Sequence, residues 1–172
     1  MASLHNLIIN SLEIAPFDAA HAIEQTYEPV EAVARHRTLG GTLLQQVAWR
    51  KLRTVISGRG RLPDGMEALD FDAALTIQCM APLAISSATA AITLPAARRT
   101  DWAPHGYAVV GGVLVRAASS LVGNVLTIAT TAGASGYQAV YYPTLTCYAS
   151  PPSRSFDGRG TEAGWTLTAE EA

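Results

Sequence analysis

The sequence predicts a mainly β protein, built of antiparallel sheet as a β-sandwich or a barrel-like ring domain, with a small β extension and little helix. Three observations carry this. Apolar and polar residues alternate with period two in several stretches, whereas helical periodicity is weak throughout. A Gly-Gly and a Gly-Asn pair sit between β-branched runs, where tight hairpins need them. Clusters of proline, glycine and serine cut the chain into short segments.

Taken in order, Ala19 to Ala34 has room for one short helical turn, and Thr26, Tyr27 and Pro29 oppose anything longer. Arg35 and Arg37 share one strand face, with Ala34, His36 and Thr38 on the other. Leu43 to Ile56 is long and nearly continuous. Its apolar residues occupy odd positions at Leu43, Val47 and Trp49, then even ones at Leu52 and Ile56. Such a phase change predicts a bulge or bend near Arg50-Lys51. Residues 58–73 are turn-rich and close this β segment. Leu75, Ile77 and Cys79 then share one face. Residues 81–105 read as a linker or a loosely attached strand around Ile92-Leu94.

Gly111-Gly112 and Gly123-Asn124 each separate two β-branched runs and predict hairpins. The loop at 132–136 leads into a strand from Tyr137 to Tyr148, which Pro143 interrupts, so that strand is expected at an edge or bulged. Residues 150–164 read as a polar loop or arm, and Trp165 to Thr168 as one last strand. The organisation expected is a ring-forming β domain at 1–95, a hairpin subdomain or continuation at 96–149, and a Pro/Gly-rich arm at 150–172.

The 172 residues suit one domain, or one with a small appendage. With 49% hydrophobic and only 15% charged residues, much of the surface is expected to be hidden in a core or against a partner. A net charge of −2 opposes a general nucleic-acid coat. No apolar run approaches the roughly 18 residues that span a bilayer. The opening MASLHNLIINSLEIAPFD lacks a basic region and carries Glu13 and Asp18, so it does not read as a signal peptide, and synthesis inside the cell is expected. Two cysteines, Cys79 and Cys147, are too few for a disulfide framework. Both read as small core residues, and whether they pair stays open.

Charge order is more informative. Glu13, Asp18, Glu24, Glu28 and Glu31 fall in a stretch without Lys or Arg. Arg35, Arg37, Arg50, Lys51, Arg53, Arg59 and Arg61 follow without Asp or Glu, and Asp64, Glu67, Asp70 and Asp72 come next. Arginine dominates, and its planar fork suits interfaces better than lysine does. Neighbouring antiparallel strands of opposite charge could pair within the chain. Alternatively, acidic and basic edges could join copies head to tail into a closed ring. A basic channel for nucleic acid is the third reading, opposed by the balanced net charge. The candidate subunit-interface residues are therefore Glu24, Glu28, Arg35, Arg37, Arg50, Lys51, Arg53, Asp70 and Asp72. Arg50, Lys51 and Arg53 are expected to face a neighbouring subunit or to pair with carboxylates.

Enzyme constellations are poorly represented. His5, His21, His36 and His105 form no HExxH or HxH arrangement, and CxxC, GxSxG and a glycine-rich phosphate loop are missing. Asp70-Phe71-Asp72 could hold a divalent cation, or form a solvated strand end after a turn. No catalytic residue, cofactor or metal site is expected. Tyr137 and Tyr141 point the same way on a regular strand and, with Trp102, could stack sugars; the simpler role is covering a sheet. A carbohydrate-binding β-sandwich is therefore the alternative function. Trp49 reads as a core or interface anchor.

Several phrases also carry a family resemblance: His21-Ala-Ile-Glu-Gln-Thr-Tyr-Glu-Pro, the run from Arg37 through Trp49 to Gly60, Leu62-Pro-Asp-Gly-Met-Glu-Ala-Leu-Asp, and Leu75-Thr-Ile-Gln-Cys-Met-Ala-Pro, with Gly136-Tyr-Gln-Ala-Val-Tyr-Tyr-Pro adding to them. Together they resemble tail-tip and baseplate proteins of tailed bacteriophages, nearest to the distal tail protein family. The resemblance implies a β-rich ring subunit without catalysis, assembled as a homo-oligomer, a hexamer, that connects tail tube to hub. It implies other tail proteins as partners, DNA passing through the lumen without specific binding, no membrane, and a place in the virion. Many distal tail proteins are longer and carry a second outward β-sandwich, so a tail-tube or other minor tail protein is the alternative within this resemblance.

Overall fold

The computed structural model describes residues 6–14 and 22–172. In chain order the strands are β1 (Leu7–Ile9), β2 (Leu12–Ile14), β3 (Ile23–Arg37), β4 (Leu43–Arg59), β5 (Leu75–Gln78), β6 (Leu83–Ser87), β7 (Ala91–Thr93) and β8 (His105–Val110). They continue as β9 (Val113–Ala117), β10 (Ser119–Val122), β11 (Val125–Ile128), β12 (Ala134–Tyr141), β13 (Thr144–Ala149), β14 (Ser153–Phe156) and β15 (Glu162–Glu171). A short 3-10 turn at Met66–Ala68 separates β4 from β5. The protein is mainly β with antiparallel sheets.

The chain forms two compact units, Met1–Thr76 with Thr146–Ala172, and Ile77–Leu145. The division expected at 95 and 149 is therefore not the one observed. The chain leaves the first unit within β5 and returns to it within β13.

The largest sheet has the order β2-β1-β5-β13-β15-β4-β3, with β14 also on β15. The segment read as a C-terminal arm thus supplies an interior strand: β15 pairs with β4 from Gly164–Arg59 to Glu170–Arg53. Its alternation explains this, because Trp165, Leu167 and Ala169 are buried on one face. Leu7, Ile9, Ile56, Met66 and Leu75 are fully buried in the same unit. Each such side chain contributes roughly 1.5–3 kcal/mol through burial. Among the described residues of this unit, Thr54 is the buried polar exception. Its hydroxyl donates to the Thr26 carbonyl at 3.2 Å and accepts from Gln25 Nε2 at 3.0 Å.

The helical turn expected at Ala19 to Ala34 is not found where the residues are described. From Ile23 onward every residue of β3 faces a partner on β4, and this pairing overrides weak local preference. Residues 19–21 lie outside the described residues. Pro29 fits because β3 is the last strand of the sheet, so its missing N–H faces away from the ladder.

The second unit is a β-sandwich of two sheets, β10-β11-β7 and β6-β12-β8-β9. Ile92, Leu94, Leu126 and Ile128 on one side pack with Ala139 and Tyr141 on the other. Both sheets end in edge strands, so the barrel alternative is not adopted. Both glycine hairpins form. Gly111 and Gly112 have φ of 59° and 82°, as a type I′ turn requires, and Gly123 has φ of 59° at the first turn position only.

Two segments differ from expectation. Residues 81–105 hold β6 and β7, members of the two sheets, because Ile85 and Ile92 have a core to enter. The run from Tyr137 to Tyr148 splits at Pro143 into β12 and β13, which belong to different sheets. Arg99, only 3% exposed, anchors the loop between β7 and β8. Its guanidinium grips Asp101 through Nε at 3.0 Å and Nη2 at 2.6 Å, donates to the carbonyls of Gln78 and Cys79, and lies 3.6 Å from the Trp102 ring centroid.

Candidate assembly interface

The long hairpin β3–β4 is where most predicted interface residues meet. Its turn spans 38–42, closed by Thr38 N–H to the Thr42 carbonyl at 3.0 Å and Gly41 N–H to the Thr38 carbonyl at 2.9 Å, with Gly41 at φ of 82°. Residues 53–58 of β4 are flanked by both β3 and β15. From Val30–Lys51 to Arg37–Leu43 the two strands pair only with each other among the described residues. The hairpin therefore continues past the sheet as a two-stranded arm.

A bulge divides this arm. Ala32 faces Trp49 and Val33 faces Val47, so Ala48 is the extra residue. The phase change read from the sequence is real but lies at Ala48, not at Arg50-Lys51. Its effect is to separate the apolar residues. Val47 and Leu43 share a face with Val33 and Arg35, whereas Trp49 and Leu44 share the opposite face with Ala32 and Ala34. Trp49 is 48% and Leu44 56% exposed, and Leu39 in the turn is fully exposed. Of the two roles read for Trp49, the core is thereby excluded.

The charged residues are mostly matched within the ribbon. Arg50 Nε donates to Glu31 at 2.9 Å, and Arg35 lies 3.7 Å from the same carboxylate. Arg53 lies 3.5 Å from Glu28 and donates through Nε to Glu170 at 2.8 Å. The hydrogen bond that Arg53 donates to Glu170, more than the charge of that carboxylate, raises the Arg53 pKa above its ordinary value. Lys51 Nζ reaches the Ala172 carbonyl at 2.5 Å, and Arg37 donates to the Gly41 carbonyl at 3.0 Å. Glu24, Glu28 and Glu31 thus share one hairpin with Arg35, Arg37, Arg50, Lys51, Arg53 and Arg59 rather than forming an edge opposite to them. On one side of the arm's root, Val30, Trp49, Lys51, Glu170 and Glu171 line a largely apolar depression of about 430 Å³.

No known family model matches this chain, and no curated protein matches it.

The remaining candidates lie elsewhere. Glu24, on β3, sits opposite Ser57 of β4 and borders a polar depression of about 320 Å³ with Arg59 and Ser155. Asp70 and Asp72 lie in the loop before β5, where the Asp70 carboxylate accepts the Asp72 N–H at 3.0 Å. Among the described residues, no group of three His, Cys, Asp or Glu is placed to hold a metal ion. His5 and His21 lie outside the described residues. Cys79 and Cys147 are fully buried thiols. Among the described residues no helix is long and apolar enough to cross a membrane.

The sugar-stacking set is not assembled. Tyr141 belongs to the sandwich core, and Tyr137 packs against it from the same strand face. Trp102 has Arg99 over its ring and Tyr142 edge-on at 4.8 Å between centroids. Burial raises the Tyr141 and Tyr142 pKa values above the ordinary phenol value.

Sequence reasoning missed Glu31, Glu170, Glu171 and the turn itself. The turn had a signal, because Gly40-Gly41 lies between two strands just as Gly111-Gly112 does. Placing it there pairs Glu28 with Arg53 and Glu31 with Arg50 directly.

Proposed function

We propose that this protein is a self-assembling structural subunit that forms a homo-oligomeric ring, and that the ring belongs to a phage tail tip. The observation that carries self-assembly is the arm. A two-stranded ribbon is marginal in water unless its apolar side chains are covered. This one holds Leu39, Leu43, Leu44, Val47 and Trp49 exposed, divided between two faces by the bulge at Ala48. A second chain would bury them. The low charged fraction supports the same reading, since interface cores are depleted in charge.

The resemblance to tail-tip proteins supports the placement in a virion, with a hexameric ring joining tube to hub and made in the bacterial host. Cis pairing of Arg35, Arg50 and Arg53 suits a ring that passes DNA without gripping it.

Light scattering on the purified chain at low and moderate salt tests self-assembly. A ring-sized mass, a hexamer above all, is expected. A monomer at both salts overturns the self-assembling ring.

A further inference from the structure

We propose that the arm tip of one copy seats in the depression at the arm root of the next, which rests on the self-assembly reading above. The tip offers a knob. Leu39 is fully exposed at the turn, and Leu43 and Leu44 lie beside it on opposite faces. The root offers a hole. The largely apolar depression of about 430 Å³ is lined by Val30 and Trp49 together with Lys51, Glu170 and Glu171.

Charge complements shape. Between residues 32 and 49 the only charged side chains are Arg35 and Arg37, with no carboxylate. Arg37, next to the turn, bonds a carbonyl rather than a carboxylate. At the root Lys51 is drawn off to the Ala172 carbonyl and Arg53 is held by Glu28 and Glu170. Among the described residues, Glu171 accepts the Leu52 N–H, a neutral donor, at 3.1 Å and pairs with no cation. A tip bearing net positive charge therefore meets a wall that includes Glu171.

A chain cannot fill its own hole. Leu43 and Lys51 are separated by eight positions along β4, roughly 27 Å at strand rise. Knob and hole are different surfaces, so the contact is heterologous and propagates until rotation closes it. The occupant of the depression is a second copy of this chain.

Cysteine cross-linking tests the contact, because Cys79 and Cys147 are fully buried and stay silent. Leu39→Cys chains are mixed with Glu171→Cys chains and treated with a mild oxidant. A disulfide-linked dimer in the mixture, and little in either variant alone, is expected. Separately, Arg37→Glu should weaken association about tenfold, and Glu171→Arg should restore it. Equal cross-linking of Leu39→Cys chains alone means tip-to-tip contact and overturns the docking. An oligomer by light scattering without cross-linking overturns the docking and leaves the ring. A monomer without cross-linking overturns both.

Discussion

Gly106 on β8 lies directly beneath Ile128 on β11, so that a β-carbon on Gly106 would sit 2.4 Å from Ile128 Cγ1. The two sheets of the sandwich approach each other here with no room for a methyl group. Gly106→Ala should cost about 1–3 kcal/mol through overpacking, read as a lower urea midpoint. Gly158→Ala is the control, since nothing lies within 4 Å of that position and its φ is not positive. An unchanged midpoint for Gly106→Ala would mean that the sheets can slide apart freely.

Arg99 should be the costliest polar side chain to remove. Its truncation strips the carbonyls of Gln78 and Cys79 of a charged donor and leaves Asp101 and Trp102 without their clamp. Arg99→Met is expected to lose about 1–3 kcal/mol, the cost of leaving buried carbonyls without their donor, because the half-exposed Asp101 can be solvated. Arg99→Lys should recover only a part, because an ammonium cannot make the fork to Asp101. Chemical denaturation of the three proteins measures both statements.

The same pair gives a pH dependence. The hydrogen bond from Arg99 holds the Asp101 carboxyl below the ordinary carboxylate range, against the opposing effect of burial. A depressed folded pKa stabilises the fold above the unfolded value of about 3.9 and loses that contribution as pH falls through the folded value. The midpoint should therefore drop between pH 5 and pH 3 by more in the wild type than in Asp101→Asn. Parallel curves for the two proteins would remove Asp101 from the acid response.

Arg53→Glu separates folding from assembly. The reversal places a third carboxylate beside Glu28 and Glu170 at the root of the arm, in a half-exposed position. A small decrease in urea midpoint is expected, together with a much larger loss of oligomer mass. Unchanged mass would take the arm root out of the interface. Raised salt should weaken the wild-type oligomer in the same direction, since the Debye length falls from about 10 Å at 0.1 M to 3 Å at 1 M.

Local features were legible in the sequence. Leu75, Ile77 and Cys79 alternate inward, and all three are fully buried. Gly111-Gly112 dictates its own turn through two positive φ angles. The phase change in β4 was legible too, but its position was not. Trp49 continues the odd-numbered pattern of Leu43 and Val47, so only the register against β3 shows that the bulge at Ala48 has already turned it to the other face. Partners distant in sequence were not legible. Glu170 and Arg53 are 117 positions apart, and nothing local to either one names the other. The charge blocks were visible as blocks, yet whether they paired in cis depended on the Gly40-Gly41 turn between them.

The interior position of β15 sets an order of events in folding. The second unit is one continuous run of chain, and its hairpins pair residues close in sequence, so its contacts form at low loop-closure cost. In the first unit, β4 and β15 pair across all of that intervening chain. The hairpin β3–β4 can zip early and alone, but its flank on the β15 side stays open until that long-range pairing is made. Until then the open flank of β4 is an unpaired edge, prone to recruit the wrong strand. Refolding should therefore show a fast phase from the sandwich and a slower, concentration-sensitive phase as the large sheet closes around β15.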